Sequence, residues 1–582
     1  MARRPRWGPV LSVWLFAACM AWGDAPMFEA YQLSTGLAGN VEIPTLGTWD
    51  GQTVHCVYSN NIESVWVQST RDAGKTWSGP IRVMALGEAR YITDANILVD
   101  RDRITVFATE VIDAPDHPGA FARSRIRMAV SEDGGQIWAE QPPLPLPHNY
   151  VCGCIHAPVW LDGDTVVMGW SWDVPAEEGR PAAEEGTMHL RAGVLVSDDR
   201  GRTWHPGDDV DLPEQPMGAD EPAIVRLSNG DLFMIVRTTC PRPYETVSHD
   251  GGQTWEALRP AACHGFNSPS ALLPLHDGGI IRAWDDSPTD RFPLVVSVST
   301  DDCQTWSPPR TVTEPTPELD GTLSYSTACY PSLAEAEDGS ILLAWWQRRD
   351  ETNSVHVARF SRDWIEQARA QRTIVAFGDS VTRGVRDGVT EYQTFRHLLH
   401  ERLEQGGIEA RVVNAGVGGD TTDDGLSRLD RDVLRGKPEL VIVMFGLNDA
   451  AMVDAGPVAR TEPRVPPEAY TANLRSIVER IRASGSAVLV CTPTPMSRRY
   501  VHQNVGAYAG NEDINFTVRL YAEAVRRVAG DMQVPLFDAF ALFADRPGGL
   551  ELIEDGDHPF ARGHALLAEA LLEPVFRLLD AP

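Results

Sequence analysis

A short pattern that recurs five times constrains the fold of this 582-residue chain more than any other feature of its sequence. Each copy has an Asp, a Gly or Cys two residues later, and a Trp five residues after the Asp. An Asp side chain caps the free N–H groups of a tight turn, Gly adopts the positive φ that such turns require, and Trp anchors the turn by packing. The pattern therefore predicts five similar β-turns. The copies are 72–77, 133–138, 199–204, 250–255 and 301–306.

Successive copies are spaced regularly, with 61, 66, 51 and 51 residues between their Asp residues. Such a period, with a short alternating β run before each turn, indicates small β-sheets repeated around an axis. The pattern resembles the Asp-box (BNR repeat) of sialidases and related six-bladed β-propellers. The resemblance implies that residues 27–360 form an all-β, six-bladed propeller and that the boxes themselves are structural. The fifth copy departs from the family by placing Cys303 where Gly is usual.

The charge balance excludes some classes of partner. The chain has 51 Lys and Arg against 81 Asp and Glu, a formal net charge of −30. A nucleic-acid binder would need a basic face, and anionic membranes attract basic segments, so neither partner is expected. An anionic ligand would need a local cluster of Arg that opposes the overall field.

The N-terminus has the three parts of an export signal. Arg3, Arg4 and Arg6 precede an apolar run over 10–22, and 21–23 offer a small-residue cleavage site. The run is shorter than the roughly 20 residues that span a bilayer. We therefore predict a signal peptide over 1–23 and a secreted or periplasmic protein, with no membrane span after cleavage. A lipoprotein anchored at Cys19, or an uncleaved anchor, stays open as an alternative.

Eight cysteines remain after the predicted cleavage, and export would permit disulfides among them. Their pairing cannot be deduced from the sequence. Cys152 and Cys154 do not make a zinc site, because no second pair with ligand spacing accompanies them. The sequence implies no metal and no organic cofactor.

The hydrophobic period changes near residue 361. Residues 361–371 make a charged linker, and over 372–582 short β runs alternate with amphipathic helical stretches. This alternation predicts a parallel sheet covered on both faces, with functional residues at the C-terminal ends of its strands. The predicted strands are 373–377, 411–414, 440–445, 487–491 and 535–537, and the predicted helices are 391–405, 467–484, 513–529 and 561–578.

Four motifs follow the predicted strands or precede a helix in this half. They include a Ser, a His, Asp residues and glycines, the groups that ester hydrolysis needs as nucleophile, base, orienting carboxylate and oxyanion donors. Their order resembles that of the GDSL/SGNH hydrolase family over about 210 residues, which implies a flavodoxin-like α/β/α domain. The motifs are 378–384, 414–422, 446–449 and 555–559.

The resemblance assigns roles residue by residue. It implies that Ser380 is the nucleophile, that His558 is the general base and that Asp555 orients it. It also implies that the oxyanion is stabilised by the backbone N–H groups of Ser380 and Gly419 and by the side chain of Asn448. Asp379 and Asp420 are expected to support the site, and Asp557 competes with Asp555, although its spacing to His558 is unfavourable.

Some residues of the first half match the sialidase active site. Glu221 resembles the family's Glu, Arg237 and Arg291 resemble two of its three carboxylate-binding Arg, and Tyr330 resembles its nucleophile. The family's first Arg lies in an Arg-Ile-Pro motif, but this chain has Glu42 there. A carboxylate at that position repels an anionic sugar.

The family's acid/base Asp is also missing from its expected place. The segment before the first box offers only Asn60, Asn61 and Glu63. Three interpretations of the propeller therefore stay open: a glycan-binding module, a glycosidase of altered specificity, or a sialidase with other residues filling the gaps.

Together these features predict a secreted, two-domain, carbohydrate-active serine esterase. The surest activity is ester hydrolysis by Ser380. The fusion favours acetyl groups on a glycan, and O-acetylated sialic acid in particular. The alternatives are exo-sialidase or related glycosidase action through Tyr330 and Glu221, or glycan binding alone. The acyl group, the sugar and the oligomeric state are not determined by the sequence.

Overall fold

A computed structural model provides the structure of the protein, and the predicted signal peptide lies outside its described residues. The described residues are 27–34, 40–112, 123–148, 150–174, 189–215, 217–240, 242–265, 267–287, 291–313, 327–349, 352–367, 372–386, 388–390, 393–454 and 458–579.

The first half of the described chain is built of β-strands. They are β1 (Phe28–Gln32), β2 (Val41–Gly47), β3 (Val54–Asn60), β4 (Ser64–Thr70), β5 (Ile81–Ala85), β6 (Tyr91–Asp100), β7 (Arg103–Ile112), β8 (Arg123–Ser131), β9 (Ala139–Gln141), β10 (Val151–Cys152), β11 (Val159–Trp160), β12 (Val166–Asp173), β13 (Leu190–Ser197), β14 (His205–Val210), β15 (Asp220–Arg226), β16 (Leu232–Arg237), β17 (Tyr244–Ser248), β18 (Arg259–Pro260), β19 (Ala271–Pro274), β20 (Ile280–Asp285), β21 (Leu294–Ser299), β22 (Arg310–Thr311), β23 (Thr327–Glu335), β24 (Ile341–Arg349) and β25 (Thr352–Phe360).

These strands form six antiparallel sheets, which are the six blades of a β-propeller. Five sheets take consecutive strands, namely β2–β5, β6–β9, β10–β14, β15–β18 and β19–β22. The sixth sheet has the order β1-β25-β24-β23, so the first strand of the chain completes the last blade and closes the ring. Apolar side chains of neighbouring blades pack into separate buried clusters, one between each adjacent pair. The predicted propeller fold is confirmed.

The five repeated turns join the third and fourth strands of five blades. In the first, the Asp72 carboxylate accepts a hydrogen bond of 2.9 Å from the Thr76 N–H, and Gly74 has a φ of +83°. In the fifth, Asp301 caps Thr305 in the same way at 2.8 Å, and Cys303 adopts a φ of +64°. The turn therefore tolerates Cys at the Gly position, at the steric disadvantage that a Cβ brings to a left-handed backbone.

The inner strands of four blades each begin with a β-bulge that the sequence did not predict. Pairing shifts at β2, β6, β15 and β23. The bulged residues are Ile43, Asp94, Glu221 and Tyr330, with φ between +46° and +56°. A bulge redirects the side chains around it and is common beside functional sites. Because strands alternate in direction, these bulges lie at the end of the propeller opposite the repeated turns.

The second half of the chain alternates strands and helices. Its elements are α1 (Arg362–Glu366), β26 (Arg372–Gly378), α2 (Ser380–Arg383), α3 (Phe395–Gln405), β27 (Ala410–Gly416), α4 (Thr422–Asp432), β28 (Leu440–Met444), α5 (Pro467–Ala483), β29 (Ala487–Cys491), α6 (Phe516–Met532), β30 (Leu536–Phe537), α7 (Ala539–Ala544) and α8 (Ala561–Leu579), with 3₁₀ turns at Leu434–Gly436, Gly506–Tyr508 and Gly549–Leu552.

The five strands form one parallel sheet in the order β27-β26-β28-β29-β30. This is the 2-1-3-4-5 order of flavodoxin-like folds, which confirms the predicted α/β class. Right-handed crossovers place α3 and α8 on one face and α4, α5 and α6 on the other. One continuous apolar core fills the domain. Among the described residues, no helix combines the length and the apolar character needed to cross a bilayer.

The two domains meet through buried polar side chains. Arg242 of the propeller is fully buried and donates to the carbonyls of Ala262, at 2.6 Å, and of Arg431 at the end of α4. His264 contacts the Asp432 carbonyl at 3.0 Å. Asp286 pairs with Arg411 at the start of β27. The interface therefore involves the edge of the parallel sheet opposite to the C-terminal ends of its strands.

Candidate active sites

Ser380 lies where the first parallel strand turns into a helix. Strand β26 ends at Gly378, whose hydrogen faces the Met444 carbonyl so closely that a Cβ would overlap it. Asp379 caps α2 by accepting a hydrogen bond of 2.9 Å from the Val381 N–H. Burial raises the pKa of Asp379 to about 7, and the hydrogen bond from Val381 opposes that shift. Ser380 is the first residue of this short helix, at the C-terminal edge of the sheet.

His558 and Asp555 come to Ser380 on the loop before α8. The Ser380 Oγ lies 2.8 Å from His558 Nε2, and His558 Nδ1 lies 3.0 Å from an Asp555 oxygen. The other Asp555 oxygen accepts the backbone N–H of His558 at 2.8 Å. A backbone hydrogen bond holds the loop that carries Asp555 and His558, since the Ser497 N–H donates to the Gly556 carbonyl at 2.7 Å. The sequence thus named three residues that the fold brings into one hydrogen-bonded chain.

The charges around His558 favour its protonated form. Burial lowers the pKa of His558, but its contacts with Asp555 and Asp557 outweigh that effect, so its pKa is raised overall. Burial alone would raise the pKa of Asp555, yet the hydrogen bonds from His558 and the nearby Arg386 hold it well below its usual value. Asp555 therefore stays ionised while the imidazole gains and loses a proton.

Asp557 is closer to His558 than its spacing suggested. Its carboxylate oxygen lies 2.9 Å from His558 Nδ1, as near as that of Asp555. The expectation of an unfavourable register was wrong, because Gly556 has a φ of +114° and turns the chain back on itself. Asp555 remains distinct, since it also accepts backbone N–H groups and pairs with Arg386. Arg386 was missed because nothing in the sequence relates it to residue 555.

Of the predicted oxyanion donors, Gly419 borders open space and the Asn448 side chain has protein partners. Gly419 has a φ of +84°, and no described atom outside Gly419 and its two chain neighbours lies within 4 Å of the position that a Cβ would occupy there. The Asn448 side-chain amide donates to the Asp420 carbonyl at 3.0 Å. Its oxygen faces Arg464, whose Nη1 lies 3.5 Å away. The sequence gave no signal for Arg464, which approaches Asn448 through the loop before α5.

A buried Arg on α4 ties the strand ends together beneath the site. Arg428 donates to the carbonyls of Gly378 and Ala415, each at 2.9 Å, and to the Asp420 carboxylate at 2.6 Å. It therefore links the ends of β26 and β27 to the loop that carries Gly419. Neither α4 nor this role was predicted.

The propeller brings Tyr330, Glu221 and Arg237 into direct contact. The Tyr330 hydroxyl donates to Glu221 at 3.0 Å, and Arg237 donates to the Tyr330 oxygen at 3.1 Å. Arg237 also pairs with Glu221 at 2.7 Å and with the Asn267 side-chain oxygen at 2.8 Å. Arg291 lies over the Tyr330 ring, 5.6 Å from its centre. Burial and Glu221 raise the pKa of Tyr330, although both Arg residues oppose the shift.

Glu42 is directed toward blade six. Its carboxylate accepts a hydrogen bond from Asn353, and Arg348 lies near enough to lower its pKa, which burial raises overall. The neighbouring Ile43 packs in the same buried cluster as Tyr330. The first position of the expected carboxylate clamp is therefore occupied by an anion with partners of its own.

Two buried carboxyl groups near Glu221 were missed by the sequence analysis. Burial and the Glu221 charge raise the pKa of Asp94 to about 6 and that of Asp220 to about 7. Asp94 is a bulge residue, which no local pattern predicted. Of the segment expected to supply an acid, Asn60 is buried, whereas Glu63 is exposed in the turn after it.

The side chains that could hold a metal converge in one place within the described chain. They are Asp555, Asp557 and His558, and this group is already engaged at the Ser380 site. The eight cysteines from Cys56 to Cys491 are unpaired.

Comparison with known proteins supports the fold assigned to each half of the chain. The GDSL-like Lipase/Acylhydrolase family matches residues 376–566, and a BNR repeat-like domain matches 60–343. The fold and the family match define an ester hydrolase with a sialidase-like propeller. The chain belongs to the GDSL-like lipase/acylhydrolase family.

Individual relatives cover each half. The esterase TesA of Pseudomonas aeruginosa is 32% identical over 175 residues, which are 29% of this chain and 80% of TesA. An acetylxylan esterase of Geobacillus stearothermophilus is 29% identical over 168 residues, 28% of this chain and 72% of the relative. A sialidase of Micromonospora viridifaciens is 26% identical over 407 residues, 60% of this chain. The chain spans only 56% of the length of that sialidase.

Proposed function

We propose that this protein is a carbohydrate esterase that removes acyl groups, chiefly acetyl, from a glycan, with O-acetylated sialic acid as its substrate. The observation that carries the proposal is the chain of contacts Ser380–His558–Asp555, at 2.8 and 3.0 Å. The similarity to an acetylxylan esterase and to a sialidase favours an acetylated sugar. The sequence also shows no long apolar lid segment of the kind that a lipase would use.

The proposed reaction uses only side chains and water. Ser380 Oγ attacks the acyl carbon while His558 Nε2 takes the hydroxyl proton, and Asp555 stabilises the resulting imidazolium. The negative oxygen is stabilised by the N–H groups of Ser380 and Gly419 and by Asn448. The bond to the sugar oxygen then breaks as His558 returns its proton to that oxygen. Water, deprotonated by His558, attacks the acyl-enzyme, which releases the carboxylic acid and restores Ser380.

Two substrates test this proposal on the intact chain. Wild-type protein should hydrolyse p-nitrophenyl acetate and release acetate from O-acetylated sugars, and Ser380→Ala should reduce both rates by at least about 10⁴-fold. Hydrolysis of p-nitrophenyl acetate without any release of acetate from acetylated sugars would refute the carbohydrate assignment. Circular dichroism of the variant serves as the folding control.

A second candidate activity is glycosidase action in the propeller. The specific observation that favours it is the 3.0 Å contact between the Tyr330 hydroxyl and Glu221, by which Glu221 could remove the phenolic proton. Tyr330→Phe should abolish cleavage of 4-methylumbelliferyl sialosides and leave p-nitrophenyl acetate hydrolysis unchanged. Ser380→Ala should do the reverse. If wild-type protein cleaves no sialoside but is retained on a glycan array, glycan binding is the better assignment for the propeller.

We further propose export through residues 1–23. N-terminal sequencing of the mature protein would find Asp24 as its first residue. A lipid-modified Cys19, or an intact N-terminus in the membrane fraction, would contradict this cleavage site.

A further inference from the structure

One cation beside Ser380 has no partner in the described protein. Arg383 is the last residue of α2, one turn after Ser380. Its Nη1 lies 3.8 Å from the position that a Cβ on Gly418 would occupy, next to the oxyanion donor Gly419. Its Nε is buried without a hydrogen bond. Across the described ranges, the Arg383 guanidinium forms no hydrogen bond and no ion pair.

The other arginines around the site are already engaged. Arg428 is bonded to Asp420, Arg386 to Asp555, and Arg464 faces Asn448. The chain does not lack anions with which to pair a cation, since its net charge is −30. A partly buried cation without a counter-charge is unfavourable, because desolvation is not offset by attraction. An unpaired cation beside a reaction centre can instead pair with an anionic group of a bound ligand.

The space near Arg383 can accept such a ligand. Apart from Gly419 and its two chain neighbours, no described atom lies within 4 Å of the Cβ position of Gly419, so the loop after β27 is open at this residue. Arg383 lies at the preceding residue, since its Nη1 is 3.8 Å from the Cβ position of Gly418. A guanidinium donates two parallel hydrogen bonds to a carboxylate, which fixes the orientation of the bound group as well as attracting it.

We propose that Arg383 binds a carboxylate on the alcohol part of the ester, so that the substrate class is acyl esters of acidic sugars. The inference rests on the proposed esterase function of Ser380 and adds the residue that would recognise the acid group of the sugar. Arg383 determines specificity through the sugar, whereas Ser380, His558 and the oxyanion donors act on the acyl group. The contribution of Arg383 is therefore confined to substrates that carry the anion.

Matched substrates with and without the carboxylate test this assignment. 9-O-acetyl-N-acetylneuraminic acid and its methyl ester present the same acetyl group, but only the free acid carries a negative charge. Wild-type protein should have a kcat/KM about tenfold or more higher for the free acid, mainly through a lower KM. Arg383→Gln should remove this preference and leave hydrolysis of p-nitrophenyl acetate within about twofold of wild type. Arg383→Lys should restore part of the preference.

A charge-matched control separates a local contact from the overall field. Arg527 is exposed on α6, and Arg527→Gln changes the net charge equally. It should not alter the preference for the acid. Equal kcat/KM for acid and methyl ester in wild-type protein would overturn the inference and leave the esterase function intact. An equal loss on all three substrates in Arg383→Gln would also overturn it, because Arg383 would then act on the reaction itself.

Failure of the proposed esterase function would give results different from failure of the Arg383 inference. If wild-type protein cleaves acetylated neutral sugars but neither sialic ester, the acidic-sugar assignment is wrong and the carbohydrate esterase stands. If it cleaves p-nitrophenyl acetate but no acetylated sugar, the proposed function and this inference are both refuted.

Discussion

The propeller and the C-terminal domain each place a hydroxyl near a carboxylate, but by different routes. In the C-terminal domain, His558 stands between Ser380 and Asp555, with contacts of 2.8 and 3.0 Å. In the propeller, Tyr330 touches Glu221 directly at 3.0 Å, with Arg237 bonded to both. The first arrangement can pass a proton through an imidazole, the side chain whose ordinary pKa is nearest neutrality, whereas the second holds a buried phenol whose pKa is raised by burial.

This difference indicates which site is ready to react without its substrate. At the Ser380 site, the proposed base His558 is in hydrogen-bond contact with the proposed nucleophile, and the Asp555 carboxylate behind His558 is ionised. The Tyr330 hydroxyl instead donates to Glu221 in a buried network in which Arg237 already neutralises Glu221. Ester hydrolysis is therefore expected of the free protein, whereas any reaction at Tyr330 depends on what a bound sugar changes.

The largest effect should come from removing the carboxylate behind the base. Asp555→Asn should lower kcat for p-nitrophenyl acetate about 10³ to 10⁴-fold, because the imidazolium loses its counter-charge and its orienting acceptor. The matched change in the propeller, Glu221→Gln, should leave this rate unchanged. Asp557→Asn should cost far less than Asp555→Asn, since Asp557 accepts none of the loop N–H groups that Asp555 binds. Equal losses at 555 and 557 would mean that the two carboxylates share the orienting role.

Loss of the proposed oxyanion donor Asn448 should have the second largest effect. Asn448→Ala should lower kcat for ester hydrolysis about 10²-fold or more with little change in KM, because the amide acts on charge that develops in the transition state. Steady-state kinetics would check this, with thermal unfolding as the control for folding. A rise in KM with unchanged kcat would instead place Asn448 in substrate binding.

The pH profile should show a smaller, graded effect. His558 must be neutral to accept the Ser380 proton, and its pKa is raised by the neighbouring carboxylates. The rate kcat/KM should therefore fall about tenfold per pH unit below a midpoint that lies above the usual histidine value of about 6.5. Asp557→Asn removes one group that raises this pKa, so the midpoint should move to lower pH. A shift to higher pH would contradict the electrostatic assignment.

The smallest effect on ester hydrolysis should come from the domain interface. Arg411→Ala leaves the carboxylate of Asp286, which is 3% exposed, without its counter-charge. We expect a loss of about 3 kcal/mol in the free energy of unfolding, measured by denaturant titration. Ester hydrolysis should stay within about twofold of wild type, because Ser380 lies at the opposite edge of the sheet. The exposed pair partner Arg577 offers a control, and Arg577→Ala should leave stability unchanged. A large loss of esterase activity in Arg411→Ala would show that the two regions depend on each other.

The sequence anticipated most of the elements of the C-terminal domain. The strand predicted at 487–491 is Ala487–Cys491, and the helix predicted at 467–484 is Pro467–Ala483. Helix α4 was missed because its segment is rich in Asp and Thr and has few apolar residues to establish a period. It is held by contacts that no local pattern describes, above all those of Arg428 with the strand ends.

The residues of the two candidate sites also differ in whether the sequence could identify them. Ser380, His558 and Asp555 could be named because each lies in a short motif, and the structure places them in contact. Arg386 and Arg464 could not be named, since an Arg outside a motif is indistinguishable from a surface Arg until its neighbours are known. Arg383 lies inside the first motif, but the sequence did not show whether its charge is paired. Asp94 could not be named either, because no local pattern predicted it.

The sequence by itself determined the class of each half, because turn chemistry and hydrophobic period are short-range properties of neighbouring residues. Five repeated turns indicated a propeller, and alternating strands and helices indicated a parallel sheet. Only the tertiary structure decided which charges meet. Glu42 faces Asn353, Asp557 reaches His558, and Arg383 has no partner within the described ranges. These outcomes depend on bulges, loop returns and packing between residues far apart in the chain, and the energies of charged groups depend on that surrounding structure.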